Sequence, residues 1–532
     1  MSETDVLNQA LSDAYDETPY VSNAFSMSAP GRLRAVAALY GLPAPAVESA
    51  RVLEIGCAAG GNLLPFAAAN PVAKVVGIDL SPQQIKKGRA AIEVMDLRNV
   101  DLRAMSVTDV TPEFGQFDYI IAHGVFSWVP PEVRAAILRV CRENLAPEGI
   151  AYISYNTYPG WKASDVVRDA MILNSHSISD PQERLARAKD VLGMLEHGLS
   201  PNNPMRSSLQ HAARQLRSQS DYYLMHEHLE AVNSPCYFLE FVAAAQQAGL
   251  TYLADAEPQA SMASNYGDNV AVMQNALSAN ETREVREQYL DFAVGRTFRK
   301  SMLVHSDRDS KILDRPEANA FAQMYLAAFL TRQPTPAGSP TAERRYLTIH
   351  NVGIASQDAS FVAVAEVLRQ AWPKCVPFSD LVKAARPKTR ELPDSELDEL
   401  VLHHLVTLLN ANALEYRLEP VTYESRVPPE LIAGLKSLRE FINLGNHEIG
   451  LYNLWHHNVR LPSDPICKFI MGHIDGTNTV SGLRTLLRDA LAAGELAHPS
   501  GKSLKRTRNL DSVAQSLLND VLTGLRNQGV LI

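Results

Sequence analysis

The stretch RVLEIGCAAGGNLLPFAAANPVAKVVGIDLS, residues 51–81, decides the fold of this 532-residue chain. An apolar run at 52–55 predicts a buried strand, and a glycine-rich turn at 56–61 and a helical segment at 62–70 follow it. A second apolar run, 75–78, ends in Asp79. This order predicts a β-α-β unit of a parallel sheet. Glycine lets the backbone approach a ligand closely, and a carboxylate can accept both hydroxyls of a ribose. The unit therefore predicts a nucleoside-containing cofactor at the carboxyl edge of the sheet.

The glycine-rich turn also separates two classes of cofactor. A dinucleotide site typically has the pattern G-x-G-x-x-G, with the pyrophosphate at a helix N-terminus. Here Gly56, Ala58 and Gly60 follow Glu54. An acid just before the turn would repel phosphate, but it suits a cofactor that carries an ammonium and a sulfonium group. The turn therefore favours S-adenosylmethionine over NAD. A tight turn in some other α/β fold is the alternative.

Three further strands are predicted after this unit. The third ends near 106–107, the fourth covers 117–122 and the fifth covers 149–155, with helices over 82–97 and 131–145. Because ligands bind at the carboxyl ends of parallel strands, these strand ends should line one crevice. The Ser106 hydroxyl and the Val107 backbone N–H are expected at the adenine, and His123 beside the transferable methyl group. The predicted cofactor contacts are Tyr20, Glu54, Gly56, Ala58, Gly60, Asn62, Asp79, Leu80, Ser106, Val107 and His123.

Aromatic side chains are concentrated at the predicted crevice. Two of them follow the fourth strand, one ends the fifth strand and two follow it: Phe126, Trp128, Tyr155, Tyr158 and Trp161. An aromatic slot suits the apolar stem and the cationic head of a lysine side chain. No NPPY-like box follows the fourth strand, which disfavours an adenine amine of a nucleic acid as substrate. Two or three of the five rings are expected to face the substrate, and the others to pack as core or interface anchors.

Composition limits the class of protein. The hydrophobic content of 46% and the charged content of 20% are ordinary for a soluble protein, and the net charge of −9 argues against a general polyanion binder. The five cysteines form no C-x-x-C pair, which predicts a reducing compartment and no structural zinc. The acidic N-terminus lacks an apolar signal region, and no run of 18 apolar residues predicts a membrane span. The expected location is cytoplasmic.

The chain is too long for one core, and five segments are predicted. Residues 1–50 form an N-terminal lid and helical segment that includes YDETPY (15–20) and a helix over 31–40. Residues 51–165 form the cofactor domain and 166–310 a helical middle domain. Residues 311–420 and 421–532 each contain two helices and a terminal strand, which predicts two winged-helix-like units. Protein docking is favoured over DNA binding for these units, since Lys502, Lys505, Arg506 and Arg508 make the only compact basic cluster.

The middle domain contains the sequence HEHLE at 226–230. His226 and Glu230 share a helix face, which is one requirement for a metal site. The pattern is not H-E-x-x-H, however, and no third ligand is evident. No metal is therefore predicted, and these side chains are expected to make polar contacts that close the substrate cavity or orient a loop.

Three motifs carry a resemblance to a known family: IIAHGVFSWVPPEV from residue 120, GIAYISYNTYPGW from 149 and YLMHEHLEAVNSPCYFLEFVAAAQQAGLTYLADAE from 223. They resemble bacterial class I methyltransferases with a methyltransferase regulatory domain, which include rickettsial protein-lysine methyltransferases of an outer-membrane protein. The resemblance covers most of residues 10–310. It implies methyl transfer from S-adenosylmethionine to a protein lysine, often by a homodimer. Ala58 stands where class I folds often have glycine.

The expected fold is α/β: a Rossmann-like class I methyltransferase sheet, a helical middle domain and α+β winged-helix-like C-terminal units. The expected reaction is an in-line attack of a lysine amine on the methyl carbon. Lysine, with an ordinary pKa near 10.4, must first lose a proton, and an apolar slot lowers that pKa. The predicted catalytic residues are His123, Tyr155 and Tyr158 as proton acceptors, with Trp128 and Trp161 flanking the lysine stem. The alternatives are a small-molecule N- or O-methyltransferase and a non-catalytic cofactor-binding regulator.

Overall fold

A computed structural model describes residues 21–230, 232–336, 338, 340, 342–423, 427–445, 449–462, 464–497 and 509–532. Its centre is a seven-stranded sheet in the order β3-β2-β1-β4-β5-β7-β6. The first five strands are parallel, and β7 and β6 extend the sheet in antiparallel pairs. The strands are β1 (Arg51–Ile55), β2 (Lys74–Asp79), β3 (Val100–Ala104), β4 (Phe117–Ala122), β5 (Leu145–Asn156), β6 (Leu250–Asp255) and β7 (Phe298–His305).

The predicted β-α-β unit is present, and helices cover both faces of the sheet. The Ser81 hydroxyl accepts the backbone N–H of Gln84 at 3.1 Å and caps the helix after β2, with Pro82 in its first turn. The third strand ends at Ala104, two residues before the predicted end, and a short turn at Val107–Asp109, capped by Ser106, follows it. The helices of this part are α1 (Pro30–Leu39), α2 (Leu64–Ala69), α3 (Pro82–Val94) and α4 (Pro131–Glu143).

The middle segment contributes both helices and strands. Four helices after β5 share a small core of leucine and alanine side chains. The segment predicted as a helical middle domain also contributes two strands, β6 and β7, to the sheet. Residues 250–255 join the sheet because all six are buried between layers and pair with β7. The helices are α5 (Trp161–Ser175), α6 (Pro181–His197), α7 (Arg206–Arg217), α8 (Asp221–His228), α9 (Phe238–Gln247), α10 (Asp268–Ser278) and α11 (Arg283–Val294).

The first C-terminal unit combines three helices with two small sheets. Leu326, Phe361 and Tyr416 belong to the same hydrophobic core as Leu33 and Tyr119, so this unit packs directly on the methyltransferase-like sheet and its first helix. The unit's last two helices and its last strand agree with the two helices and terminal strand predicted for residues 311–420. The elements are β8 (Tyr325–Ala327), β9 (Leu330–Gln333), β10 (Arg344–Thr348), β11 (Gly353–Ser356), α12 (Ala359–Ala371), β12 (Val376–Pro377), α13 (Phe378–Ala385), α14 (Asp394–Asn410) and β13 (Glu415–Arg417).

The second C-terminal unit surrounds its own core. Trp455, Leu483 and Leu518 are fully buried there, and Ala59 and Leu64 from the glycine-rich turn and α2 belong to the same cluster. The unit therefore packs against the back of the turn. Among the described residues, no helix is long and apolar enough to cross a membrane. The elements are α15 (Leu435–Asn443), β14 (Leu451–Tyr452), β15 (Asn458–Val459), α16 (Pro465–His473), α17 (Val480–Ala493) and α18 (Leu510–Asn527).

Candidate active site

The turn after β1 has the backbone shape that a close ligand approach requires. Gly56, Ala58 and Gly60 have φ angles of 72°, 47° and 79°, in the left-handed region. A Cβ on Gly56 would lie 2.4 Å from the Cγ2 atom of Val125, so only glycine fits there. The Ala58 backbone N–H donates to Oδ2 of Asp79 at 2.8 Å. The carboxylate at the end of β2 therefore fixes the turn, and a carboxylate oxygen can accept more than one hydrogen bond.

Glu54 lies directly beneath this turn and is 3% exposed. Its Oε1 atom accepts the Asn62 side-chain amide at 2.8 Å, whereas its buried Oε2 atom has no hydrogen-bond partner among the described residues. Burial raises the pKa of Glu54 to about 8, the negative charge of Asp79 adds to the rise, and the Asn62 bond opposes it. A cationic ammonium group beside Oε2 would satisfy that oxygen and restore the carboxylate. These residues therefore fit the amino-acid end of S-adenosylmethionine.

Asn62 is the centre of a hydrogen-bond network around Glu54. Its Oδ1 atom accepts the Phe25 backbone N–H at 2.9 Å and contacts Nε2 of His456 at 2.9 Å, and its Nδ2 atom donates to Ser28 Oγ at 3.0 Å. Residues 22–28 belong to the segment predicted as an N-terminal lid, although none of them was named as a site residue, and His456 was not predicted at this site. No local sequence signal marks them, because they reach the turn from distant parts of the chain.

His123 follows β4 as predicted and lies at the other end of the site. Its Nδ1 atom is 2.9 Å from the Tyr152 hydroxyl and 3.2 Å from the Ser154 hydroxyl. The Phe25 ring packs on the imidazole, with the ring centroids 4.0 Å apart. Burial lowers the pKa of His123 to about 3, and the positive charge of Lys300 adds to the effect. The imidazole is therefore neutral at physiological pH and is a weak base.

Two of the five predicted crevice rings belong to the hydrophobic core. Phe126 and Tyr155 pack with Phe241, and the Tyr155 ring stacks on Phe241 at 4.1 Å between centroids. The Tyr155 hydroxyl is buried 3.0 Å from Ser301 Oγ, and burial holds its pKa well above the usual range. A tyrosine accepts a proton readily only as the phenolate, so this buried position disfavours Tyr155 as proton acceptor, and its predicted role stays a prediction.

The remaining three rings lie around the ends of β4 and β5. Trp128, in a turn at Phe126–Trp128, is 7% exposed, and Trp161, at the start of α5, is 5% exposed and stacks on His228 with centroids 5.3 Å apart. The Tyr158 hydroxyl donates to Asp165 at 2.8 Å, and the Lys162 ammonium lies 3.6 Å from the centre of the Tyr158 ring. Burial and the hydrogen bond to Asp165 raise the pKa of Tyr158, which makes it a poor proton acceptor as well.

The predicted adenine contacts lie in the turn after β3. The Ser106 hydroxyl accepts the Thr108 backbone N–H at 3.2 Å and so caps the turn, and Val107 is buried beside it. Leu80, half-buried, follows Asp79 at the end of β2. Tyr20, with the whole YDETPY segment, lies outside the described residues, as does the basic cluster at Lys502, Lys505, Arg506 and Arg508.

Helix α8 of the middle segment contacts both the N-terminal segment and Trp161. The His226 ring packs on Tyr222, with centroids 4.4 Å apart, and its Nδ1 atom is 3.5 Å from Glu230. The Val21 backbone N–H donates to the Tyr222 hydroxyl at 2.8 Å, so α8 contacts the segment that covers the cofactor turn. No group of three or more His, Cys, Asp or Glu side chains among the described residues is arranged to hold a metal ion.

Three family models match separate parts of the chain. Residues 53–151 match a methyltransferase domain, residues 220–305 match a predicted methyltransferase regulatory domain, and residues 443–530 match the C-terminal winged helix domain of PKMT. The predicted fold class is confirmed by these matches and by the sheet. S-adenosylmethionine, the predicted cofactor, agrees with the methyltransferase match.

Two relatives at the sequence level come from Rickettsia prowazekii. An uncharacterised protein of Rickettsia prowazekii is 41% identical over 294 residues, 55% of this chain and 53% of that protein, so the match spans about half of its length. A second uncharacterised protein of the same organism is 39% identical over 235 residues, 44% of this chain and 94% of that protein.

A solved structure matches almost the whole chain. PKMT2 from Rickettsia typhi superposes with a TM-score of 0.82 at 26% sequence identity, over 96% of this chain and 100% of that one. The same protein, solved in complex with AdoHcy, gives the same TM-score. The predicted resemblance is therefore confirmed, and the chain belongs to the bacterial class I methyltransferases that carry a methyltransferase regulatory domain.

Proposed function

We propose that this protein transfers a methyl group from S-adenosylmethionine to the side-chain amine of a lysine in a protein. The observation that supports the cofactor is Glu54: a buried carboxyl group, with one oxygen that has no hydrogen-bond partner in the described part of the chain, suits a ligand ammonium beside a left-handed turn. Support for a protein substrate comes from the PKMT-type winged-helix match and the PKMT2 neighbour. The resemblance adds a lysine of an outer-membrane or surface protein as the substrate, and a homodimer as the assembly.

The residues of the site divide the work of binding. Glu54 would hold the ammonium of the amino-acid moiety and Asp79 the ribose hydroxyls, while Ser106 and Val107 would contact the adenine. When bound, S-adenosylmethionine supplies an electrophilic methyl group on a sulfonium. The left-handed backbone at Gly56, Ala58 and Gly60 would allow the turn to approach the ligand closely, because residues at these positions are small.

The crevice residues would prepare the lysine. Trp128 and Trp161 are aromatic and largely buried, so a lysine between them loses contact with water, and its pKa falls. His123 is neutral and, with a pKa lowered to about 3, takes no lasting proton from an amine. We therefore propose that the lysine loses its proton to solvent on entering the crevice, and that the enzyme acts chiefly by positioning the free amine.

A paired substitution tests the crevice. We expect Trp128→Ala with Trp161→Ala to reduce methyl transfer at least about 100-fold, since the lysine is no longer held in line, while the dissociation constant for S-adenosylhomocysteine stays within about twofold. The matched control, Trp128→Phe with Trp161→Phe, keeps two rings and should retain most of the transfer. Undiminished transfer by the alanine pair would discard the slot.

Substrate class is tested with labelled S-adenosylmethionine and a cell lysate. Mass spectrometry should locate the label on lysine side chains of a protein. A label that appears only in small molecules would replace the proposal with a small-molecule N- or O-methyltransferase. Cofactor binding by calorimetry without any transfer would instead identify a cofactor-binding regulator.

A further inference from the structure

A tight turn of the second C-terminal unit reaches the cofactor site. It connects β14 to β15 and is held by Asn453, whose Oδ1 atom accepts the backbone N–H groups of Trp455 at 3.0 Å and His457 at 3.1 Å. His456 lies at its tip with a left-handed φ of 67° and is 4% exposed. A non-glycine residue in this conformation stores backbone strain, so the turn is held in an unfavourable shape with the imidazole directed into the interior.

The His456 side chain meets the Asn62 amide in one defined orientation. The Asn62 Nδ2 atom donates to Glu54 and to Ser28, and its Oδ1 atom accepts the Phe25 backbone N–H. Oδ1 is therefore the acceptor at the 2.9 Å contact with His456, whose Nε2 atom carries the proton. All hydrogen-bonding positions of the amide are used, and each bond opposes rotation of the side chain away from Glu54.

His456 remains a neutral donor over the working pH range. Burial lowers its pKa to about 3, and the positive charge of Arg417 adds to the effect. Glu54, at the other end of the network, is faced by Asp79 from β2, by Cys57 from the turn and by Tyr152 from β5, besides Asn62. Of these neighbours, Asn62 alone donates a hydrogen bond to the carboxylate and so favours its ionised form.

We propose that His456 is a positioning residue of the cofactor site, which acts through Asn62 to hold the Glu54 carboxylate ready for the ammonium of S-adenosylmethionine. The second C-terminal unit is then a working part of the site in addition to any docking role. This inference rests on the proposed cofactor function.

Calorimetry with S-adenosylhomocysteine on the full chain tests the inference. His456→Ala removes the donor and frees Asn62 to rotate, so we expect the dissociation constant at pH 7.5 to rise about 10-fold. His456→Gln supplies an amide donor and should recover most of the affinity. His457→Ala is the matched control, because the side chain of the neighbouring His457 contacts Glu415 in β13 at 2.9 Å and not Asn62. It should leave the affinity within about twofold.

The pH dependence of affinity distinguishes positioning from a general packing role. Because the Asn62 bond lowers the pKa of Glu54, its loss in His456→Ala should move the midpoint of affinity against pH upwards, while His457→Ala leaves the midpoint unchanged. Thermal unfolding of each variant confirms that it is folded. An unchanged midpoint, or an equal loss of affinity in both alanine variants, overturns the inference alone. Failure of the wild-type protein to bind overturns the cofactor function with it.

Discussion

Burial shifts the pKa values of two titratable groups in opposite directions at the two ends of the site. At the turn, burial raises the pKa of Glu54 to about 8, and at the end of β4, burial lowers the pKa of His123 to about 3. Both groups are therefore largely neutral at pH 7 before a ligand binds. Glu54 belongs to a polar network in which its Oε2 atom has no partner within the described ranges, whereas His123 lies between the Phe25 ring and the hydroxyls of Tyr152 and Ser154.

The difference shows how burial can prepare either binding or chemistry. A buried carboxyl group without a cation is costly to ionise. A bound ammonium stabilises the ionised carboxylate, and this charge pair favours binding of the ligand. A buried imidazole with no facing anion stays neutral and adds no charge beside a cationic methyl donor. Among the described residues, the Oε2 atom of Glu54 thus has no hydrogen-bond partner, while the Nδ1 atom of His123 has two hydroxyls within hydrogen-bond distance.

Glu54→Gln should have the largest effect on this comparison. The amide keeps the bond from Asn62 but cannot carry the charge, so affinity for S-adenosylhomocysteine should fall about 100-fold. In the ligand-free protein, by contrast, the substitution should be favourable to stability at high pH. The folded-state pKa of Glu54 is raised above 4.5, so its contribution to stability is present below about pH 4.5 and is lost as pH rises through about 8. Calorimetry and melting temperatures at pH 6 and 8.5 measure both effects.

We expect Glu54→Gln to lose less stability than the wild type between those two pH values. The exposed Glu48, in the loop before β1, provides the control, and Glu48→Gln should change neither affinity nor the pH dependence of melting. If Glu54→Gln leaves the ligand affinity unchanged, the charge pair does not contribute to binding, whatever the effect of the substitution on stability.

Gly61→Ala tests whether the N-terminal segment supports the turn. An added Cβ would lie 2.0 Å from the Ser22 carbonyl oxygen, and the Gly61 backbone N–H donates to Ser22 Oγ at 2.7 Å. The segment must therefore move, and we expect affinity for S-adenosylhomocysteine to fall about 10-fold with a lower melting temperature. Gly472→Ala in α16, where a Cβ meets nothing within 4 Å, should be neutral or stabilising. Equal behaviour of the two variants would exclude support by the segment.

The sequence predicted the local parts of the site and missed those that are distant along the chain. β1, its turn, β2 and the Ser81 cap follow from patterns within about 30 residues, and apolar runs marked β4 and β5. The contact between Asn62 and His456 spans 394 positions, so no periodicity or spacing connects them. The core packing of Tyr155 is distant along the chain in the same way, because it depends on Phe241, in a helix of the middle segment.

The neutral state of His123 should be detectable in the pH dependence of stability under acidic conditions. Its folded-state pKa is lowered from about 6.5 to about 3, so the stability that depends on the neutral ring is present above about pH 6.5 and is lost as pH falls towards 3. His123→Gln cannot titrate and should lose less stability than the wild type between pH 7 and 5, by at most about 1.4 kcal/mol per pH unit. Melting temperatures measure this, with exposed His176→Gln as control. Parallel curves for His123→Gln and the wild type would contradict a neutral His123.

Ala58→Gly should have the smallest effect, because it changes only the backbone cost of the turn. Alanine at a φ of 47° carries a left-handed penalty of about 1 kcal/mol, which glycine removes, and the greater entropy of the unfolded glycine chain offsets about half of that gain. The bond to Asp79 comes from the backbone, so ligand affinity should stay within about twofold. Ala69→Gly, at the exposed end of α2, should lower the melting temperature instead. If Ala58→Gly lowers the melting temperature equally, the backbone at residue 58 is not left-handed. The hydrogen bond from the Ala58 N–H to Asp79 would then lose its geometric basis.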